Sequence, residues 1–371
     1  MNLWTAHFAA SREAVLRQVS SRKFVSASIT RSPASDVRRS LKLPESVSLT
    51  NVNQAPGYLS GAFFLDWGYW GMRRIGSSKS MMVRDIIITV IAALVLFLIW
   101  VAVFDTNRFT ISKYTYSHPL IKRDFTAVVL SDLHNKKFGK DNARLLEAIE
   151  EASPDIILIA GDMINGHPNE NIDGTLQFLK DISSKYPVYY ENGNHEMRLD
   201  IYRDKYGDQY DVFCEAIKEY GIKLLVNERE RLPEYGVTVI GSEINKKHYK
   251  RLGIIPMEEG ELLSELGDPD KEYCNILLAH NPDFFEDYCE YGADIVFSGH
   301  VHGGIVRIPF INKGVLSPNA TFFPKYYQGE YKSGSTTMIV SRGLGFHTIP
   351  FRMFNPGDLV VVSFTPEKDN K

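Results

Sequence analysis

Five apolar segments of the 371-residue chain each end in side chains that can bind a metal ion. The first, Val-Val-Leu-Ser-Asp-Leu-His, ends with a carboxylate and an imidazole at Asp132 and His134. Four later segments end in the same way, and the five together supply Asp132, His134, Asp162, Asn194, His280, His300 and His302. This set holds oxygen and imidazole donors without a thiolate, which suits Mn, Fe, Zn or Co and excludes a closed structural zinc site built from cysteines.

The size of this donor set predicts two metal ions. Seven donors are too many for one tetrahedral ion, but they suit two ions that share a bridging carboxylate. Two divalent ions about 3.5–4 Å apart lower the pKa of a shared water and neutralise the oxygens of an in-line displacement at phosphorus. Glycines beside the donors, among them Gly161, Gly193 and Gly299, allow tight turns that bring the backbone close to the ions. The pattern therefore indicates phosphoester chemistry.

Strands that alternate with helices must position these donors. Hydrophobic periodicity predicts helices over residues 142–152, 171–184, 209–220 and 258–266, with Asp141 as the N-cap of the first. Predicted strands cover residues 125–130, 155–160, 187–191, 222–226, 237–240, 275–279, 295–298, 337–341 and 359–364. Because open α/β sheets bind ligands at the carboxyl ends of their strands, we expect the donors to meet at one sheet edge. The spacing predicts an α/β fold, a four-layer αββα sandwich of two mixed sheets with flanking helices.

The order of the motifs resembles that of the calcineurin-like metallophosphoesterase superfamily. Asp-x-His, Gly-Asp, Gly-Asn-His-Glu, His and Gly-His-x-His follow one another across residues 124–365. Ser-Asp-Leu-His, Gly-His-Val-His-Gly-Gly and the later Ser-Arg-Gly-Leu-Gly are similar to the membrane-associated bacterial branch of phosphodiesterases and phosphohydrolases. Ile305 stands where that branch usually has Gln, which leaves the metals untouched but puts one substrate-side contact in doubt.

The resemblance implies a role for each donor. It implies that the first metal is held by Asp132, His134, Asp162 and His302. It implies that the second metal is held by Asp162, Asn194, His280 and His300, with Asp162 bridging the two. His195 is implied to contact the phosphate without binding metal, where it stabilises the phosphate or protonates the leaving group.

Other polar residues near these motifs have two interpretations each. Arg307 and Arg342 could clamp a phosphate, or stand in solvent as loop arginines often do, and His347 could line the pocket. Glu196 and Asn135 could orient metal ligands or face solvent. An aromatic loop could form an apolar lip near a membrane or a substrate, or pack in an ordinary way; it contains Phe322, Phe323, Tyr326 and Tyr327.

Residues 86–104 form an unbroken run of 19 residues without a charge. A membrane-spanning helix needs about 20 apolar residues, and this run is long for a signal peptide and has no cleavage site after it. We predict an uncleaved signal anchor, a transmembrane helix, over residues 81–106. Because Arg73, Arg74, Lys79 and Arg84 precede it, the N-terminus is predicted in the cytoplasm and the following domain outside the cytoplasm.

The rest of the chain divides around this anchor. Residues 1–80 are rich in Arg and Ser without a sustained period, and we predict that this N-terminal arm is disordered. Alternatively, the arm is an upstream extension, since Met81 and Met82 would make natural starts. Residues 107–371 form the predicted metallophosphoesterase catalytic domain.

The composition of the chain limits the classes of molecule that it could bind. The formal net charge of −3 and the lack of a basic stripe argue against nucleic acid. Cys214, Cys274 and Cys289 are too few for a disulfide framework, although one pair could form a bridge in an oxidising compartment. We expect a membrane-anchored phosphoesterase that acts on a phosphodiester or phosphomonoester, by analogy lipid- or nucleotide-linked. The alternative is a non-catalytic binding module of the same fold, but such proteins usually lose a ligand, and here all are present.

Overall fold

The computed structural model describes residues 79–367, apart from residues 169, 250–253, 312, 319–320 and 347–349. The described residues belong to one unit of the chain, Ile75–Lys371. The predicted N-terminal arm lies outside the described residues up to position 78, and the predicted pocket residue His347 lies outside them too.

The first helix, α1, spans Lys79–Thr106. It contains no Gly or Pro, and its apolar side chains surround the helix instead of forming one stripe, which is typical of a membrane-spanning segment. Its most apolar window has a mean hydropathy of 3.2, and only 6% of that window is buried. Among the described residues, α1 is the one helix long and apolar enough to cross a membrane.

Short helices and strands alternate through the rest of the chain. The helices that follow α1 are α2 Ala143–Ala152, α3 Asp173–Ser183, α4 Asn194–Ile201, α5 Arg203–Tyr206, α6 Gln209–Glu219, α7 Glu261–Leu266 and α8 Phe285–Tyr291. The larger strands are β1 Phe109–His118, β2 Phe125–Leu130, β3 Ile156–Ala160, β4 Val188–Glu191, β5 Lys223–Leu224, β6 Arg229–Leu232, β7 Val237–Ser242, β8 Cys274–Ala279 and β9 Ile295–Ser298. After them come β10 Arg307–Ile308, β11 Lys313–Gly314, β12 Gly329–Ser333, β13 Thr336–Val340 and β14 Gly357–Pro366.

Two six-stranded mixed sheets contain most of these strands. The first has the order β1-β14-β2-β3-β4-β5, and β2 to β5 run parallel within it. The second has the order β12-β13-β9-β8-β7-β6, and β13, β9, β8 and β7 run parallel. Strands β10 and β11 form a separate antiparallel hairpin.

The sheets face each other across a shared apolar core. Val129 and Leu158 of the first sheet meet Val239, Ile276 and Phe297 of the second. The outer face of the first sheet is covered by α2, α3 and α6, and that of the second by α7 and α8. Strands covered on both faces are apolar at nearly every position, as β3 and β8 are. The predicted sandwich of two mixed sheets with flanking helices is confirmed.

Two local predictions are wrong. Asp141 is not the N-cap of α2, because the helix begins at Ala143 after Asn142. Asn142 adopts a left-handed conformation, and its Oδ1 accepts a hydrogen bond from the Phe138 N–H at 2.9 Å instead of capping the helix. The strand predicted over residues 222–226 is only Lys223–Leu224.

Strand β1 has no counterpart among the predicted strands. It is an edge strand with alternating half-buried positions, and its partner β14 lies about 250 residues away in sequence, where Phe109 pairs with Gly357. The pairing that makes it a strand is therefore not visible in its local pattern.

Candidate metal centre

The predicted donors lie at the carboxyl ends of β2, β3, β4, β8 and β9, which meet at one edge of the sandwich. Backbone hydrogen bonds join the loops that carry them. The Asp132 N–H donates to the Gly161 carbonyl at 3.0 Å, and the His134 N–H donates to the Asp162 carbonyl at 3.1 Å. In the second sheet the Gly299 N–H donates to the His280 carbonyl at 3.0 Å. These bonds hold the donor loops at fixed separations.

The donors fall into two groups. The donor atoms of Asp132, His134 and His302 lie within 4.8 Å of one another, and those of Asp162, His280 and His300 do the same. Asp162 faces both groups, because its Oδ2 is 3.0 Å from His280 Nε2 and 3.7 Å from His134 Nε2. Asp132 Oδ1 is 3.2 Å from His302 Nε2. Asp162 therefore borders both groups, and Asp132 Oδ1 lies 3.8 Å from His280 Nε2 of the second group.

The spacing of these donors fits divalent ions. Ligand atoms that each lie about 2.0–2.2 Å from one ion are roughly 3.0–3.5 Å apart in tetrahedral or octahedral geometry. The separations between His280 and Asp162, 3.0 Å, and between His134 and Asp132, 3.8 Å, are close to that range. One buried donor atom, Asn194 Oδ1, has no hydrogen-bond partner among the described residues. A buried polar atom without a partner is costly, and a metal ion would satisfy it.

Hydrogen bonds to the imidazole rings assign different tautomers to His280 and His195. His280 Nδ1 lies 2.7 Å from the Ala160 carbonyl and must donate to it, so Nε2 is the atom that would bind a metal after losing its proton. His195 Nδ1 accepts a hydrogen bond from the Gly166 N–H at 2.8 Å, so the neutral ring carries its proton on Nε2. The first arrangement suits a metal ligand, and the second suits a donor to phosphate.

The charge state of the donors is set by burial and by their neighbours. Burial, and then proximity to His280, lower the pKa of His300 to about 3, so this imidazole is neutral at physiological pH, as metal binding requires. Burial opposes ionisation of Asp162, but the nearby imidazole of His280 holds the pKa of its carboxyl well below the usual value. Asp162 is therefore a carboxylate.

Several donor residues have an unusual backbone conformation. Among the donors, five non-glycine residues have positive φ values, from 48° to 67°: Asp132, His134, Asp162, His300 and His302. Each such residue costs on the order of 1–3 kcal/mol, and such strain concentrates at functional sites. A Cβ at Gly193 would overlap the Asp162 carboxylate, and a Cβ at Gly299 would overlap the Asp132 carboxylate. Glycine is therefore required at both positions.

Glu196 accepts hydrogen bonds from two of the donor loops. Its side chain is fully buried. Oε2 accepts from the Asp162 and Gly193 N–H groups at 2.9 and 3.0 Å, and Oε1 accepts from Met163, Ile164 and the Tyr190 hydroxyl. Burial and the neighbouring Asp162 carboxylate raise the pKa of Glu196 to about 7, while these hydrogen bonds lower it. Of the two interpretations of Glu196, the structure supports the one in which it orients ligands.

The predicted substrate contacts have structural partners. Arg342 Nη2 donates to Asp358 Oδ1 at 2.9 Å and to Thr110 Oγ1 at 2.6 Å, which ties this side chain to β14 and β1. Arg307 is buried, and burial followed by the nearby Arg342 guanidinium lowers its pKa. A role for either residue in substrate binding stays a prediction.

Arg352 is a site residue that the sequence pattern does not reveal. It is buried, and it donates hydrogen bonds to the carbonyl groups of Arg342, Gly343 and Asn355. Its Nη2 lies 3.3 Å from His302 Nδ1. Arg352 belongs to no local motif, and the contacts with His302 bridge 50 residues of sequence. The contact between Arg352 and His302 is visible only in the folded structure.

A further group of potential ligands lies at the opposite ends of the strands. His118, Cys274 and Asp294 come within 4.8 Å of one another. Their polar atoms already have partners, because Asp294 Oδ2 accepts from the Asn275 N–H at 2.7 Å and His118 Nδ1 accepts from the Leu120 N–H at 3.3 Å. All three cysteines of the chain are free.

Comparisons with known proteins identify a family and several relatives of this chain. Residues 125–304 match the calcineurin-like phosphoesterase family. An uncharacterized metallophosphoesterase of Campylobacter jejuni is 27% identical over 257 residues, which cover 67% of this chain and 62% of that protein. The metallophosphoesterase YkuE of Bacillus subtilis is 26% identical, with 72% of this chain and 86% of that protein covered. The phosphodiesterase YaeI of Escherichia coli is 26% identical, with 60% and 75% covered.

Proposed function

The chain belongs to the calcineurin-like metallophosphoesterase superfamily, and from this premise we propose that it hydrolyses phosphoesters with two divalent metal ions. The observation that carries the proposal is the pair of donor groups with Asp162 between them. Divalent ions at such a centre supply charge neutralisation and activation of water for attack on phosphorus. The proposed metals are Mn, Fe, Zn or Co, which the nitrogen and oxygen donors suit.

In this proposal the two groups hold separate ions. Asp132, His134 and His302 hold the first ion, and Asp162 is shared. The second ion is held by Asn194, His280 and His300. Support for Asn194 comes from its buried Oδ1, which has no hydrogen-bond partner in the described part of the chain.

His195 acts on the substrate side in this proposal. Its ring lies 4.8 Å from the His134 ring, centroid to centroid, so it borders the first donor group. With Nδ1 occupied by the Gly166 N–H, Nε2 carries a proton that it can donate to a phosphate oxygen or to the leaving group. Arg307 and Arg342 stay candidate substrate contacts, as does His347 outside the described residues.

We further propose that α1 anchors residues 107–371, the catalytic domain, to a membrane with that domain outside the cytoplasm. Its length and its unburied apolar surface support a span, and the basic residues before it support the orientation. The substrate would be a phosphodiester or phosphomonoester, lipid- or nucleotide-linked; the name of the Escherichia coli relative, a phosphodiesterase, favours the diester. Protease protection in intact cells tests the orientation, since residues 107–371 must be cleaved from outside once any outer envelope is opened.

Hydrolysis of bis-p-nitrophenyl phosphate with added Mn²⁺ tests the reaction. Asp162→Ala should abolish activity together with metal content. His195→Ala should lower kcat by roughly 10²–10⁴-fold, as for removal of a general acid, and leave metal content unchanged. A wild-type protein that contains metal and hydrolyses neither phosphomonoesters nor phosphodiesters would favour the non-catalytic alternative.

A further inference from the structure

The hairpin of β10 and β11 carries exposed apolar side chains. Outside α1, four described residues have the most exposed large apolar side chains, at 58–103% against 37–52% for the others. They are Phe310, Ile311, Phe322 and Phe323, and we refer to them as the apolar tip. The two halves of the tip are neighbours, because the Phe323 N–H donates to the Val315 carbonyl just after β11. An exposed apolar cluster of this kind marks an interaction surface.

The backbone of the tip is unusual as well. Phe310 has φ 71° and Phe323 has φ 51°, a left-handed conformation that bulky residues rarely adopt. Neither phenyl ring gains burial in the folded domain from this conformation. The strain and the exposure therefore coincide at the same two residues, which points to a role outside the core.

The hairpin shares its support with the end of α1. Segment 352–355 holds the helix end, because the Arg352 N–H donates to Thr106 Oγ1 at 2.9 Å and the Asn355 N–H donates to Asp105 Oδ2 at 3.2 Å. The same segment holds the hairpin, because the Arg307 N–H donates to the Met353 carbonyl at 3.0 Å. The helix end and the hairpin base are thus on two sides of one short segment.

This placement puts the domain against any bilayer that α1 spans. The apolar run ends at Phe104, about 3 Å of helix before Thr106 at about 1.5 Å per residue. Within that run, Val101 is 7% exposed while its neighbour Trp100 is 58% exposed, so the domain covers one side of the run itself. Phe310 follows Arg307 by three residues, which is roughly 10 Å of extended chain. The tip is therefore within reach of the layer where lipid headgroups meet acyl chains.

Charges around the helix end suit the same layer. Arg108 pairs with Asp105 at 2.7 Å, Lys136 Nζ donates to Asn107 Oδ1 at 2.9 Å, and Arg144 donates to the Asn107 carbonyl. Three cations thus surround the point where α1 leaves the membrane, as anionic headgroups would favour.

We propose that the apolar tip inserts into the interface of the bilayer that α1 spans, so that the domain contacts the membrane at two points. The inference rests on the proposed anchoring by α1. It adds a consequence for the site: Gly304, two residues after the candidate ligand His302, is in close contact with Gly314 of the hairpin, so this donor loop is held beside the membrane surface.

The test uses the full chain with Cys214→Ser and Cys289→Ser, reconstituted in vesicles of phosphatidylethanolamine and phosphatidylglycerol. Single cysteines at Phe310→Cys, Val95→Cys within α1 and Glu219→Cys on α6 carry an NBD fluorophore; Cys274 stays buried. Lipids with a nitroxide on the acyl chain are the quencher. We expect quenching at positions 95 and 310 by at least about twofold, and none at position 219.

Each result of the quenching experiment supports or overturns a specific part of the proposal. Quenching at position 95 without quenching at position 310 overturns the proposal for the tip and leaves the anchor intact. An absence of quenching at position 95 overturns the anchor and the tip together, whereas phosphoesterase activity is measured separately. An NBD spectrum at position 310 that is shifted to the blue without quenching by lipid would show that a protein covers the tip, which also overturns membrane insertion.

Discussion

Glu196 and Glu191 offer a matched test of how the donor loops are held. Both carboxyl groups are fully buried and five residues apart, Glu191 as the last residue of β4 and Glu196 in the first turn of α4. Glu196 accepts five hydrogen bonds. Both oxygens of Glu191 lack a hydrogen-bond partner among the described residues, and burial raises the pKa of this carboxyl well above its usual value. The same substitution, Glu to Gln, should therefore destabilise the protein at position 196 and leave its stability nearly unchanged at position 191.

At position 196 the amide nitrogen must replace one of the two oxygens. Either placement leaves two backbone N–H groups without an acceptor: those of Asp162 and Gly193 at Oε2, or those of Met163 and Ile164 at Oε1. Each buried donor left without an acceptor costs about 1–3 kcal/mol, so Glu196→Gln should destabilise the protein by roughly 2–6 kcal/mol. For a domain of this size the melting temperature should fall by about 5–15 °C. Because these donors lie in loops that carry candidate metal ligands, metal affinity should fall by roughly 10- to 100-fold.

Glu191→Gln is the control. An amide has nearly the shape of a carboxyl group, and at this position the substitution breaks no hydrogen bond, so the melting temperature should stay within about 3 °C of the wild type, less than the effect of about 1 kcal/mol. The assay is thermal unfolding of the full chain in detergent, with metal content measured on the same samples. Equal melting temperatures and metal contents for the wild type and Glu196→Gln would refute the role assigned to Glu196.

Three further predictions concern the ligands, a glycine and pH. Asp132→Ala should empty the first ion site and Asp162→Ala should disturb both, which metal analysis at limiting free metal will distinguish; equal losses would contradict the bridging role. Gly193→Ala should lower activity by roughly 10- to 100-fold, because the new Cβ displaces the Asp162 carboxylate. Gly174→Ala in α3 is the control, because the new Cβ there meets only the flexible side chain of Lys137. Although burial opposes it, hydrogen bonds from the Glu258 N–H, from His248 and from Lys247 lower the pKa of Glu261 to about 2. A carboxyl group with a lowered pKa in the folded state stabilises the fold at pH values above its unfolded pKa near 4.3, and this stabilisation is lost as the pH falls towards 2. Glu261→Gln should therefore lower the free energy of unfolding by about 1–3 kcal/mol at pH 7 and by less at pH 3, as measured by urea unfolding.

The donors were predictable because each lies where an apolar strand stops. β3 and β8 are apolar at nearly every position and lead directly into Gly161 and His280, so residue type and strand end coincide in the printed sequence. The same rule fails for β1, whose alternating pattern acquires meaning only when β14 pairs with it. The rule also fails for Arg352, because this residue belongs to no sequence motif and contacts His302 only in the folded structure.

Backbone conformation was the least predictable property of the site. Aspartate and histidine tolerate positive φ better than most residues, but the sequence contains many that do not adopt it. At Asp132 and Asp162 the two turns are tied to each other, because the Asp132 N–H donates to the Gly161 carbonyl and the His134 N–H donates to the Asp162 carbonyl. The strain is therefore a property of two strand ends taken together, and no single motif contains it.

The two tautomers show how one strand-end rule can produce two kinds of histidine. His280 and His195 both follow buried strands, and residue type alone cannot separate a ligand from a proton donor. The separation comes from the partner of Nδ1. A carbonyl, that of Ala160, requires a proton on Nδ1 of His280, while an N–H, that of Gly166, forbids one on Nδ1 of His195. Ala160 is the last residue of β3 and Gly166 lies in the loop that follows it. The end of β3 and its loop therefore fix the Nδ1 atoms of both rings, and Asp162 in that loop faces both donor groups.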